Sequence, residues 1–251
     1  MTLADFSKAA LAACLLPGLL LFGADDETPK PLRRLTLGIH VNYYPLPLIK
    51  SSYVVQISNN PVAQNNYYGA SDSPKWGPGA MVEYRLLEHL SVAGEIHFHH
   101  EDYTETDNIL SGYNTSTTGG DNRPLTYTVQ TSQINVYEFP LMVHYYGIWS
   151  HGWKRRLYAT GGAQLLHIGK IRTGNDFTYP SGATDYNENP ATPNKVNDVG
   201  AVAGVGMRFV DEFHIRIAPE VRYIRWQSPS ILGPAYRSAA NQLEANLSVS
   251  F

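Results

Sequence analysis

A chain of 251 residues, 43 % of them apolar and 16 % charged, has material for one large domain, and its 19 Lys and Arg against 22 Asp and Glu leave a net charge of −3. That balance holds no basic patch of the kind that grips phosphates, which excludes nucleic acid as a partner. A mean hydropathy of −0.26 argues against a bundle of membrane helices, whose spans are unbroken apolar runs, and is ordinary where apolar residues are diluted by alternation.

The first element in chain order reads as an export signal. Lys8 precedes an apolar stretch over residues 9–24, and Asp25-Asp26 follow at once, the order of a secretory leader. Residues 1–24 are therefore expected to be a signal peptide, 25–32 a short periplasmic segment and 33–251 the folded domain. Pro17-Gly18 interrupts the stretch, so it falls short of the unbroken ~18 apolar residues of a spanning helix. Phe22 is a poor residue three places before a cut after Ala24, which makes that boundary approximate. Cys14 follows Leu11-Ala12-Ala13 in the manner of a lipoprotein box, but most of the apolar core lies after it, and no lipid is expected there. It is also the one cysteine, so removal of the leader leaves no thiol and no disulfide.

Beyond residue 30 the pattern has period two, the mark of strands with one apolar face. The first run sets Leu35, Leu37, Ile39, Val41 and Tyr43 against His40 and Asn42. In the second, Ala80, Val82, Tyr84 and Leu86 oppose Glu83 and Arg85, and in the third Leu90, Val92, Ile96 and Phe98 oppose Ser91, Glu95, His97 and His99. The fourth, near 133–146, puts Tyr137, Phe139, Leu141, Val143 and Tyr145 opposite Glu138 and His144. The fifth and sixth, residues 156–168 and 199–210, are rich in Gly and Ala, which suits tight curvature. The seventh, 213–226, sets Phe213, Ile215, Ile217, Val221 and Tyr223 against His214, Arg216, Glu220 and Arg222. In the last, Leu243, Ala245, Leu247, Val249 and Phe251 alternate with Glu244, Asn246, Ser248 and Ser250. Pro219 and Pro140 interrupt two of these runs and predict a bulge or bend at each.

The links between runs alternate in length. Those near 86–89, 147–155 and 210–213 are short, whereas 46–75, 107–122, 173–197 and 227–240 are long, polar and rich in Asn, Ser, Gly and Pro, and read as loops. Eight strands joined this way predict an all-β, closed, up-and-down antiparallel barrel crossing a membrane, with short periplasmic turns and long extracellular loops. In hydrocarbon every backbone N–H and C=O needs a partner, and a sheet supplies that only by closing. Many of the aromatics, among them Trp76, Tyr145, Trp149, Trp153 and Trp226, lie at strand ends, where interfacial girdles form.

Two stretches carry a family resemblance. The alternation over residues 243–251 ends on Phe251, and the run Ala218-Pro219-Glu220-Val221-Arg222-Tyr223-Ile224-Arg225-Trp226 precedes it. Both resemble the bacterial outer-membrane β-barrel superfamily, in particular its small OmpA/OmpX-like, porin-family barrels. The resemblance implies a cell outer membrane location, lipid as surroundings, and Phe251 as a signal read by the barrel assembly machinery. It implies no single activity, since fold and function separate readily.

The inward positions gather Glu83, Glu95, Glu138, Glu220 and Glu244 with Arg85, Arg208, Arg216 and Arg222, nearly balanced in sign. In so narrow a barrel side chains fill the interior, so a polar plug of ion pairs is expected rather than an open pore. His97 and His99, two apart on one strand, share a face and invite a metal, and His40 and His144 are also inward positions, yet no third ligand is evident, histidines satisfied inside a polar plug explain the same pattern, and no metal or cofactor is expected. Asp176, Asp185 and Glu188 match no calcium loop and read as solvated charges. No G-x-S-x-G is present and Ser228-Pro229-Ser230 has no partner motif, so no enzyme is expected. The reading is a non-enzymatic barrel with a structural or surface-interaction role through its outer loops, which would meet an extracellular ligand. A narrow passive channel and a secreted soluble barrel around an apolar ligand are the alternatives.

Overall fold

The computed structural model describes residues 34–71, 75–146, 156–188, 193–211, 215–228, 231–232 and 234–251. The expected signal peptide, the segment 25–32, Phe213, His214, Trp149 and Trp153 lie outside the described residues.

Among the described residues fourteen strands follow one another: β1 Leu35–Tyr44, β2 Ile49–Ser51, β3 Tyr53–Asn59, β4 Val62–Ser71, β5 Lys75–Leu87, β6 Leu90–Ser111, β7 Leu125–Tyr146, β8 Leu157–Thr178, β9 Thr184–Glu188, β10 Asn197–Met207, β11 Phe209–Val210, β12 Arg216–Trp226, β13 Tyr236–Ser238 and β14 Asn241–Ser250. Eight of them, β1, β5, β6, β7, β8, β10, β12 and β14, pair antiparallel with their neighbours in an up-and-down ring, and the β1–β14 ladder joins the first to the last. Leu37 and Phe251 exchange backbone hydrogen bonds of 3.1 and 2.9 Å, which carries the joining ladder to the final residue.

These eight are the runs of alternating sequence, and the alternation sorts the side chains. Leu37, Ile39, Val41, Val82, Leu141, Val143, Val221 and Leu247 are exposed on the outside of the ring, while His40, Glu83, Glu95, Glu138, Arg222 and Glu244 are buried within it. Because the side-chain period is two, each strand shows one class to each face.

The two prolines act by a gap rather than a bulge. Pro219 pairs with Leu247 of β14, but on its other side the ladder stops between Gly206↔Glu220 and Phe209↔Ile217. Pro140 pairs with Gln164 of β8, and the β6 ladder likewise stops between Gly94↔Leu141 and His97↔Glu138. Equal numbers of residues are skipped on both strands, so no extra residue is inserted; a missing N–H simply leaves the ladder open there. A true bulge occurs elsewhere. Asn135 of β7 faces two residues of β8, Gly169 and Lys170, between Ile134↔Ile171 and Val136↔Ile168.

Parts of three of the expected loops are sheet instead, while 112–122 remains without strand. β6, β7 and β8 run for 22 residues each, about 70 Å at roughly 3.3 Å per residue. Beyond the ring they pair with a β3–β4 hairpin on one side and with β9 on the other, giving the order β3-β4-β6-β7-β8-β9. The sequence there is rich in Tyr, Thr and Val, good strand formers, but both faces are polar or half-exposed, and the alternation that marks a one-sided strand is lost. Gly182, at φ 80°, turns β8 into β9 in a backbone shape that L side chains seldom adopt.

A second, two-stranded sheet of β2 and β13 brings Leu48, Ile49 and Ile231 onto Leu166, Ile168, Ile224 and Trp226, with Tyr103, Ile134, Val136 and Ile171 in the same buried cluster. An apolar layer therefore closes the ring toward its long-link end, in addition to the polar plug expected from sequence.

Gly79 of β5 faces the ring of His40 on β1, and a Cβ there would overlap that ring and approach the Ile96 carbonyl oxygen to 2.8 Å. The Gly79→Ala variant is expected to lose roughly 1–3 kcal/mol through overpacking, read as a lower urea midpoint for unfolding from detergent micelles.

Candidate functional site

The interior side chains separate into two tiers along the ring. Near the short-link end, Glu83 of β5 accepts hydrogen bonds from Tyr146 Oη at 2.6 Å and from Ser91 and Arg216, with His144 Nδ1 at 3.3 Å. Arg216 also donates from Nε to Ser250 Oγ at 2.8 Å. Arg208, between β10 and β11, lies 4.1 Å from the centre of the Tyr146 ring, a cation held against an aromatic face. This tier holds one carboxylate and two guanidinium groups.

The middle tier is built around Arg222 of β12. Its Nη1 and Nη2 donate to the two oxygens of Glu95 at 2.6 and 2.7 Å, and its Nε donates to Glu220 at 2.7 Å. The planar guanidinium matches a carboxylate fork for fork, which is why arginine rather than lysine suits the position. Tyr158 gives Glu220 a second donor at 2.7 Å. Glu244 of β14 lies 3.6 Å from Arg222. Glu138 of β7 accepts from Tyr44 Oη at 2.9 Å. His97 stands among Glu95, Glu138 and Glu244, at 2.9, 3.6 and 3.8 Å, and its ring meets that of His40 edge-on at 4.6 Å.

The balance of sign expected from sequence is absent at this level. Glu95, Glu138, Glu220 and Glu244 face a single guanidinium, because Arg208 and Arg216 belong to the lower tier and Arg85 is half-buried where the β5–β6 register shifts. Sequence parity puts a residue on the inner face but says nothing of its height or of what it faces across the ring, so the convergence of β6, β7 and β14 on His97 was not readable from it. His99 does not join His97; its Nε2 lies 3.5 Å from Glu101 and its ring packs on Tyr44 at 4.4 Å. Asp176, Asp185 and Glu188 lie exposed on β8 and β9. Phe251 is exposed on the outer face of the ring.

The free space among Glu95, His144, Tyr146, Tyr158, Arg208, Arg216, Glu220 and Arg222 is about 10 Å³, room for roughly one water molecule. The interior is packed, and its groups act on one another. Replacing Arg222 by Met strands several buried carboxyl groups at once and is expected to cost about 3–5 kcal/mol, whereas Lys75→Ala, which removes a partly exposed 2.8 Å pair with Asp102, is expected to cost under about 1 kcal/mol. Urea unfolding of both variants in the same detergent checks the contrast.

No protein-family model matches the chain, and no curated protein matches it in sequence. Among solved structures it is similar to Ail, the attachment invasion locus protein of Yersinia pestis, at 10 % identity and a TM-score of 0.34, over 87 % of this chain and 100 % of that one. It is similar to Neisserial surface protein A at 11 % identity and a TM-score of 0.32, over 88 % of this chain and 100 % of that one. It is also similar to a Pseudomonas aeruginosa FadL homologue at 8 % identity and a TM-score of 0.26, over 87 % of this chain and 90 % of that one.

Proposed function

We propose that this chain is a non-enzymatic protein of the Gram-negative outer membrane, an eight-stranded barrel that carries a sheet beyond the membrane as a surface for an extracellular partner. The observation that carries the reading is the reversed distribution of polarity in the ring. A soluble barrel around an apolar ligand puts its apolar residues inside; here Leu37, Ile39, Val41, Leu141, Val143, Val221 and Leu247 face out and Glu, Arg and His face in. Soluble monomers seldom expose so continuous an apolar band, and lipid is the surroundings that favours it.

Strands of about ten residues, such as β1 and β14, match the hydrocarbon thickness, and the additional half of β6, β7 and β8 then stands outside it. The short links and the last residue share one end of the ring, the periplasmic end in this reading, which leaves Phe251 where the assembly machinery would read it. At the other end the six-stranded extension exposes Tyr53, Ile57, Tyr68, Tyr127 and Tyr186. Tyrosine offers large, rigid contact area with a polar tip and is favoured at interfaces, which supports a macromolecular or polysaccharide partner there. The packed interior speaks against a passive channel.

Two single-cysteine variants test orientation, in a background with Cys14 replaced by Ser: Tyr113→Cys in the β6–β7 link and Glu88→Cys in the β5–β6 turn, both exposed positions. In intact cells a membrane-impermeant maleimide is expected to label position 113 and to reach position 88 only after lysis. Both remaining in the soluble fraction, with no heat-dependent shift on an SDS gel, would refute the membrane reading. Planar bilayers containing the purified protein are expected to show no conductance steps; discrete steps would establish the channel instead.

A further inference from the structure

The centre of the middle tier brings together buried nitrogen and oxygen atoms that make no hydrogen bond. His97 places Nε2 2.9 Å from Glu95 Oε2, and Glu95 is itself gripped on both oxygens by Arg222. Held in this way, Glu95 accepts the N–H of Nε2, and in the neutral imidazole with its proton on that nitrogen Nδ1 carries the lone pair a metal would take. Nδ1 lies 3.6 Å from Glu138 Oε2 and 3.8 Å from Glu244 Oε1. It has no hydrogen-bond partner, and neither do Glu138 Oε1 and both oxygens of Glu244. All three residues are 0 % exposed, and one donor atom from each lies within 4.8 Å of the others.

We propose that these residues bind one divalent transition-metal cation, with His97 Nδ1 and the Glu138 and Glu244 carboxylates as its protein ligands. Donor atoms around an ion at about 2.0–2.2 Å stand roughly 3.3–3.6 Å apart in a tetrahedral shell, and the present spacings close to that by small side-chain rotations. A doubly charged ion between two carboxylates also removes most of the surplus negative charge of the tier. The surrounding contacts have the form expected around a metal ligand: the far nitrogen of the imidazole donates to a carboxylate, and the ligating carboxylate takes a further donor, here Tyr44 on Glu138. One imidazole with two carboxylates favours zinc or a neighbouring first-row ion over magnesium or calcium, which prefer all-oxygen shells. The other grouping, His40 with Glu95 and His97, would take Glu95 and Nε2 from the contacts they already make. Since β6, β7 and β14 supply the ligands, the ion would tie the last strand to two earlier ones across the interior of the ring.

The site is sealed, so the ion enters during folding, and the test uses refolding. The full chain is refolded from urea into detergent micelles with excess Zn²⁺ or with a chelator, freed of unbound metal by gel filtration, and its zinc measured by mass spectrometry, with folding followed by the heat-dependent gel shift. About one Zn²⁺ per folded chain is expected, together with a higher temperature for loss of the shift. Glu244→Gln and Glu138→Gln are expected to lower the zinc affinity by about ten-fold or more and to abolish the zinc-dependent rise in temperature, while His40→Gln and Glu101→Gln retain both. Glu244→Gln removes a surplus buried carboxyl and should fold without metal at least as well as the parent. Co²⁺ in the unmutated chain gives a second readout, visible absorption bands of a low-coordinate mixed nitrogen and oxygen site. Folded parent chain without stoichiometric zinc and without those bands overturns the proposal, as does retention of zinc by both Gln variants or its loss in His40→Gln alone.

Discussion

Joining of the first strand to the last is the constraint from which the interior follows. Once β1 pairs with β14 from Gly38↔Ser250 to Tyr43↔Ala245, the inward side chains face one another across a narrow space, and most of them are buried from bulk water. Polar groups so placed must satisfy each other or remain unpaired at a cost. Arg222 is the group on which this depends most. It holds Glu95 and Glu220 and lies beside Glu244, so three strands of the ring are linked through one guanidinium.

The same closure accounts for the small residues of the ring. Gly79 makes room for His40, which reaches His97, and Gly38 of β1 faces Ser250 of β14 across the joining ladder, where a Cβ would stand 2.7 Å from the serine Cβ. Pro140 sits opposite the β6 residues Glu95 and Ile96, and Pro219 between Ala218 and Glu220 on β12. Each proline leaves one ladder open beside a carboxylate of the middle tier, Glu95 for Pro140 and Glu220 for Pro219. A strand that lacks a hydrogen bond at one point bends more easily there, which helps a small ring accommodate Arg222 and His97 without opening its backbone elsewhere.

Where one face of a strand was apolar, the sequence was readable almost residue by residue. Leu243 to Phe251 and the Val82, Tyr84 and Leu86 series specify both the strand and the side it shows, since a slip of one residue would exchange the faces. Inner-face assignments for Glu83, Glu95, Glu138 and Glu244 follow from the same parity. Their partners do not, because Glu138 and Glu244 are 106 positions apart by their numbers and approach His97 only through the curvature of the whole sheet. The apolar layer under β2 and β13 was hidden for a different reason. Ile134 and Val136 share the parity of Glu138, and apolar residues on an expectedly polar face give no period of their own.

The extension beyond the ring shows why wet strands escape a search for alternation. Within the ring, polarity is imposed by two different surroundings, and the sequence records both. In β3, β4 and the far halves of β6 to β8 the two faces meet similar surroundings, so selection for contrast is gone and only strand propensity remains, in runs such as Thr126-Tyr127-Thr128-Val129. Such strands still need partners for their backbone groups or water to replace them. Mutual pairing in the order β3-β4-β6-β7-β8-β9 satisfies all but the two margins. Among the described residues those margins, β3 and β9, keep one unpaired side each, and an exposed strand edge is a natural template for another chain. β9 carries Asp185 and Glu188 among exposed residues, charges that discourage strand addition. β3, with Val54, Val55 and Ile57, lacks any charge, which makes it the more permissive edge of the sheet.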